Sequence, residues 1–207
     1  EELLRLMRRS GCHLLFVGFE SFSQASLREA HKLVNKVDYY KEAMERFHRH
    51  KIAIWGGLIF GFDQDRESIF EETIKFVRET GMEFAQFAYL TPLPGTALFR
   101  KLEKEQRLIT RDWSVYDMGN IVHRPARLSL AALERGQNNA WRAFYSLPSI
   151  AKRLGMVRSR RSLAYWALNL ALRRYVRKFF QAKEGWEYAE AEEVESPSIA
   201  DGAEQSL

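Results

Sequence analysis

His13-Leu14-Leu15-Phe16-Val17-Gly18-Phe19-Glu20-Ser21 decides the fold, because its apolar run, His13 to Gly18, reads as a buried strand that delivers a carboxylate to its C-terminal end. In parallel α/β folds that end of the strands is where substrates and cofactors bind. Two more strands finish in a comparable way. Ile52 to Phe60 runs into Gly61-Phe62-Asp63, and Glu83 to Leu90 runs into Thr91-Pro92-Leu93-Pro94-Gly95-Thr96. Three such mouths on one edge imply one shared site.

Helices alternate with these strands. Glu1 to Arg9 reads as a helix already in progress, with Leu3, Leu6 and Met7 on one stripe and Gly11 stopping it. Asp38 is the expected cap of a helix to about His50, which carries Tyr40, Ala43, Met44 and Phe47 on one face. Asp65 is the expected cap of a helix from Glu67 to Glu79, with Ile69, Phe70, Thr73, Ile74 and Val77 as its buried stripe and Gly81 as its αL stop. Strands joined by helical crossovers are parallel neighbours, so the first hundred residues give three βα units of an open sheet or barrel. Three strands alone leave long unpaired edges and a bare apolar face. The chain opens without an initiator Met, so the partner strands are expected upstream, in a longer protein.

Composition sets further bounds. No run approaches the roughly 20 uninterrupted apolar residues of a membrane span. The single Cys12 rules out an intramolecular disulfide and an all-protein thiolate cluster, and reads as a small buried hydrophobe in a reducing compartment. With no leader visible, the default location is the cytoplasm. Net charge is +5, yet everything after Lys183 is acidic without Lys or Arg, so the body is more basic than that value. The tail lacks the apolar content to offset its ordering entropy and reads as disordered.

The ordered set Gly18-Phe19-Glu20-Ser21-Phe22-Ser23-Gln24, Gly57-Leu58-Ile59-Phe60-Gly61, Gln86-Phe87 and Thr91-Pro92-Leu93-Pro94-Gly95-Thr96 resembles the radical S-adenosylmethionine enzymes, in their class with a cobalamin-binding domain. The likeness covers roughly residues 1–147. It implies the second half of a partial (βα)6 barrel of TIM type, strands four to six, followed by a mostly helical extension. In that family a three-cysteine loop holds a [4Fe-4S] cluster that chelates S-adenosylmethionine. This chain lacks those cysteines, so the resemblance implies that cluster and cobalamin ligands lie in the upstream half of the same polypeptide, with none in this chain, and that the fragment alone is inactive. The implied division is 1–108, the half barrel; 109–147, the extension; 148–183, two basic helices; and 184–207, the acidic tail.

By the same resemblance, Glu20 and Ser21 face the ribose and amino-acid part of S-adenosylmethionine, where a carboxylate accepts hydroxyl or ammonium protons. The alternative for Glu20 is a pair with a basic residue or a helix cap. Gly57 and Gly61 let a flat adenine approach the backbone and Ile59 supplies an apolar face, against a bulge or close helix packing as the alternative. Where the family often has Pro-Gly-Glu after the second glycine, Phe62-Asp63-Gln64-Asp65 stands here, as in a cobalamin-dependent subgroup that includes lipid methylases. The role of Asp63 stays open. Thr91 and Pro92 belong to a rigid loop beside adenine or substrate, Thr96 reads as a helix cap, and Gln86 is a substrate-side candidate if it points inward. No residue is assigned to catalysis.

Beyond the barrel, Asn120 to His123 reads as a short strand and Ser129 caps a helix to about Tyr145, where Trp141, Phe144 and Tyr145 read as core. From Pro148 to Gln181 two basic helices set Leu163, Trp166, Leu170 and Phe179 opposite Arg and Lys. They either touch an anionic membrane peripherally or pack on the parent barrel; without a zinc knuckle or RNA-recognition motif, nucleic acid is disfavoured. The resemblance implies a methyltransferase or carbon-skeleton modifying enzyme with a small-molecule, lipid-like or tetrapyrrole-like substrate. The competing class is a non-catalytic basic adaptor that completes its sheet against a partner or membrane surface.

Overall fold

The computed structural model describes residues 1–156 and 160–183, without the side chains of residues 160 and 180–183. The acidic tail read as disordered lies outside the described residues. Strands β1 (Leu14–Glu20), β2 (Ala53–Phe60) and β3 (Phe84–Tyr89) form one parallel sheet in that order. Helix α1 (Glu2–Arg9) precedes it, α2 (Gln24–Glu29) and α3 (Val37–Arg49) cross from β1 to β2, and α4 (Ser68–Glu79) crosses from β2 to β3. After α5 (Ala97–Lys104) comes the extension of α6 (Leu130–Phe144), α7 (Leu147–Leu154) and α8 (Arg160–Lys183). The architecture is therefore α/β, three parallel strands with helices and then a mostly helical region.

β2 shows how the two faces differ. Ile54, Gly56, Leu58 and Phe60 are buried, while Trp55, Gly57 and Ile59 between them are only half-buried. The buried set meets α3, α4 and α6, with Phe60 against Phe70 and Phe87 at centroid distances of 4.8 and 5.8 Å. Gly136 permits this closeness, because a Cβ there would come 2.2 Å from the Phe70 ring. The opposite face stays open toward β1, where Phe16 is 63% exposed. A parallel sheet is normally covered on both faces.

The expected pair of unpaired edges is corrected by one of them. Alternation in a parallel strand turns the polar groups of Glu83, Ala85, Phe87 and Tyr89 away from β2. Each finds a partner in the extension. Arg153 and Asn169 donate to the Glu83 carbonyl at 2.7 and 3.2 Å, and the Tyr145 hydroxyl donates to the Ala85 carbonyl at 2.8 Å and accepts from its amide. Gln137 donates to the Phe87 carbonyl at 3.3 Å, and the Tyr89 amide donates to Met118 at 2.9 Å. Side chains thus close the β3 edge, as a fourth strand would.

Arg153 is the main peg of that closure. It is buried, lies 3.6 Å over the Phe144 ring, and donates to the carbonyls of Met82, Glu83 and Phe144 and to Asn169. Burial lowers its pKa to about 10, so it remains a cation at neutral pH. α8 docks through Tyr165, whose ring meets Phe84 edge-on at 5.5 Å, and through Asn169. Of its apolar face Leu163 and Leu170 are exposed, whereas Asn169 and Val176 are buried. Polar side chains win the inner position because bare strand carbonyls require donors.

Local expectations hold at Thr96 and Ser129, whose hydroxyls accept from the amides of Phe99 and Ala132, and at Gly81, with φ of 68°. Asp38 is not a cap; it lies in the first turn of α3, whose N-cap Lys36 makes no side-chain bond. Residues 120–123 form no strand beyond an isolated bridge between Leu108 and His123. α2 was not anticipated, although Ser23 caps it.

Candidate functional site

The site begins with an irregularity in β1. Gly18 pairs with Gly57 and Glu20 with Leu58, so Phe19 is an extra residue that bulges toward the core. Its carbonyl accepts from the Ser21 amide at 2.8 Å, the Tyr40 hydroxyl at 2.7 Å and the Asn35 amide at 3.2 Å. Burial raises the Tyr40 phenol to about 12, which keeps it a donor. With the bulge held, Glu20 takes φ of 66°, a left-handed conformation that costs a non-glycine residue about 1–3 kcal/mol. Such bulges re-aim side chains next to active sites.

The result is a carboxylate folded back over the open face. A Cβ on Gly18 would lie 2.7 Å from Glu20 Oε1, and Lys32 Nζ lies 3.2 Å from the same oxygen. Beside it, Gly57 is overlain by the Phe16 ring, whose Cζ a Cβ would meet at 2.9 Å. Half-buried Ile59 continues this face along β2. The paired glycines therefore make a flat floor that already receives one aromatic ring. Asn35 and Tyr40, which lock the bulge, had no signal in the sequence because they act from 16 and 21 residues away.

Other expected residues serve turns. Ser21 is buried and accepts the Ser23 amide at 3.1 Å, which shapes the approach to α2. Gly61 has φ of 105° and packs against Leu133 and His123, so its lack of a side chain is needed for the turn after β2. Thr91 donates to the Tyr89 carbonyl at 3.1 Å, and Pro92 is buried at the end of β3.

The loop after β2 depends on two carboxylates. Asp65 is not the cap of α4, which begins after Glu67 without a side-chain cap. Instead, its Oδ2 accepts from the Gly61 and Phe62 amides at 3.0 and 3.1 Å, and its Oδ1 accepts from the Ser26 hydroxyl at 2.7 Å. Burial pushes its pKa up to about 6 against those three donors. Asp63 binds Arg107, Lys101 at 2.8 Å and the Ala126 amide at 3.1 Å. Partial burial opposes its charge, yet Arg107 and Lys101 hold it well below the usual carboxylate range. Asp63 thus ties the loop to the start of the extension. His123, buried at 1% exposure, contacts the Gly61 carbonyl at 3.2 Å through Nε2, and burial keeps its imidazole below the ordinary pKa.

Between β3, α6 and α8 lies a cavity of about 330 Å³, lined by Trp55 and Gln86 from the sheet, Trp141 and Tyr145 from α6, and Tyr175 and Phe179 from α8. Gln86 pairs with Gly57 across the β2–β3 ladder, so the cavity adjoins the glycine floor. Among the described residues, no group of three His, Cys, Asp or Glu side chains is arranged to hold a metal ion, and no helix is long and apolar enough to cross a membrane.

No family model matches the chain. It is 34% identical over 177 residues to the bacteriochlorophyllide d C-12(1)-methyltransferase of Chlorobaculum tepidum, covering 86% of this chain and 38% of that protein. It is 27% identical to the anaerobic magnesium-protoporphyrin IX monomethyl ester cyclase of Cereibacter sphaeroides, over 70% of this chain and 23% of that protein. It is 29% identical to the hopanoid C-2 methylase of Rhodopseudomonas palustris, over 54% of this chain and 21% of that protein. The chain thus spans well under half the length of these relatives. Taken with the ordered strand-end motifs, this likeness means that the chain belongs to the radical S-adenosylmethionine enzymes of the cobalamin-binding-domain class.

Proposed function

We propose that this chain is the part of a cobalamin-dependent radical S-adenosylmethionine enzyme that holds one side of S-adenosylmethionine, in a methyltransferase or carbon-skeleton modifying reaction on a tetrapyrrole-like or lipid-like substrate. The observation that carries the reading is the β1 bulge, which puts the Glu20 carboxylate over Gly18, beside its ladder partner Gly57, on the open sheet face. These residues fit the cofactor's shape: the floor accepts a flat ring, and a carboxylate stands beside it to receive ribose hydroxyl or ammonium protons. When bound, the cofactors supply the transferable methyl group and the radical chemistry. With one cysteine, this chain cannot supply a three-cysteine cluster loop, so no step is assigned to it.

In this reading Glu20 orients S-adenosylmethionine, with Lys32 holding the carboxylate until the ligand arrives, and Gly57 and Ile59 receive adenine beside Phe16. Ser21, Gly61, Thr91 and Pro92 shape the surrounding turns. The relatives favour an enzyme over the adaptor, since those compared are methyltransferases and a cyclase. The expected macromolecular partner is the upstream half of the same polypeptide, adding strands to β1. Peripheral membrane contact by α8 is the weaker addition, supported by exposed Leu163 and Leu170 beside Arg174 and Arg177.

The test is Glu20→Gln in the full-length protein. Loss of a charged hydrogen bond of about 1.5–3 kcal/mol should weaken S-adenosylmethionine roughly ten- to hundredfold. Reductive cleavage to 5′-deoxyadenosine should fall accordingly at limiting cofactor, with cluster absorbance intact. Cleavage at the wild-type rate and affinity would reduce Glu20 to a structural anchor of the bulge.

A further inference from the structure

We infer that the 330 Å³ cavity between β3, α6 and α8 is the slot that receives one edge of a flat, conjugated macrocyclic substrate, with Gln86 as donor to a neutral oxygen on its rim. This inference rests on the proposed function and gives it a location.

The walls carry the argument. Trp141 and Tyr145 stack at 5.7 Å with 20° between their planes, and Tyr175 and Phe179 stack at 5.9 Å with 25°. The first pair lies at the C-terminal end of α6 and the second on α8, so two stacked pairs of rings, the planes nearly parallel within each pair, line the cavity. A slot of that kind suits a planar π-system, whose faces attract aromatic edges and faces, better than a puckered saturated ring. The volume lies at the lower end of small-molecule sites, about 300–1,000 Å³, so it matches one edge of a macrocycle whose remainder extends outward.

Polar groups fix the orientation. Trp55 lines the slot with its ring, while its indole N–H is sealed from the accessible space. Gln86 is exposed on the same lining, directly paired with Gly57. The Gln86 amide donates to an oxygen on the ligand, and Asp117 on the same lining disfavours a charged carboxylate there, so a keto or ester oxygen fits. Because Gln86 joins the slot to the glycine floor, a ring edge held here lies next to the proposed adenine position. α8 docks on the β3 edge through Tyr165 and Asn169 and bounds the cavity farther along, where Val176 is buried.

Zinc protoporphyrin IX dimethyl ester, titrated into the full-length protein, tests this. Saturable quenching of indole fluorescence is expected, weakened about tenfold in Tyr175→Ala and about three- to tenfold in Gln86→Leu, which keeps the side chain's bulk and removes the donor. Tyr175 is 61% exposed, so its truncation leaves the core untouched, and circular dichroism verifies both variants. Equal binding by wild type and both folded variants would overturn the slot. So would displacement of the porphyrin by a saturated pentacyclic triterpene of equal strength, because conjugation would then go unread. If wild-type protein binds and cleaves S-adenosylmethionine but takes no porphyrin, the slot falls and the proposed function stands. If it binds neither, both fall.

Discussion

The two edges of the sheet are built from similar strands and end in opposite conditions. On β3, the outward polar groups of Glu83, Ala85, Phe87 and Tyr89 are met by Arg153, Asn169, Tyr145, Gln137 and Met118. On β1, alternation turns Leu14, Phe16 and Gly18 outward, where Asn35 donates to the Gly18 carbonyl and the Cys12 thiol lies 3.7 Å from that of Leu14, and among the described residues no strand follows in the sheet. The finished edge belongs to the helical extension and needs nothing more. The unfinished edge lies beside Glu20 and the glycine floor, so the half that carries the candidate site is also the half whose edge lacks a neighbouring strand.

That contrast can be broken most forcefully at Arg153. Arg153→Met removes the donor shared by the carbonyls of Met82, Glu83 and Phe144. Leaving several buried acceptors bare should cost about 3 kcal/mol or more, measured as a lower urea midpoint. A loss under about 1 kcal/mol would mean that water replaces the guanidinium and that the edge is not sealed by it.

Between the edges, the loop after the central strand gives a pH-dependent effect. Asp65 has a folded pKa of about 6 against 3.8 for the free group, so the folded state holds the proton more tightly. Its contribution is full below about pH 4 and is lost as pH rises through about 6, by on the order of 2 kcal/mol. Asp65→Asn should flatten that window in pH-resolved urea unfolding. An unchanged slope would assign the pH response to other groups.

The smallest effect is expected on the open edge. Phe16→Ala removes a side chain that is 63% exposed and should shift stability by less than about 0.5 kcal/mol. The sharper measurement is amide hydrogen exchange. In this chain alone the Leu14 and Phe16 amides should exchange faster than that of Tyr89, and they should become protected in the full-length protein. Equal protection of both edges in the isolated chain would remove the need for a partner strand at β1.

Periodicity made the strands and crossover helices legible, since alternation in β2 and the stripe on α4 are local consequences of where apolar side chains sit. Thr96, Ser129 and Gly81 were legible for the same reason, because a cap or turn acts within a few residues. Glu20 at a strand mouth was visible as a position. Its left-handed φ and inward aim were not, because Asn35 and Tyr40 impose them from a distance.

What the sequence by itself determined was the order of the three strands and of the main crossover helices α3 and α4, the parallel sheet and the three strand ends that gather the candidate site. What only the tertiary structure decided was which polar groups became structural. Asp65 looked like a helix cap until its loop met Ser26, 39 residues away, and nothing in the apolar pattern of α8 marked Asn169 as the residue that meets the bare carbonyl of Glu83. Burial and hydrogen bonding are properties of neighbours, and those neighbours are set by the fold, so unsatisfied backbone groups overrode the apolar pattern of the segment itself.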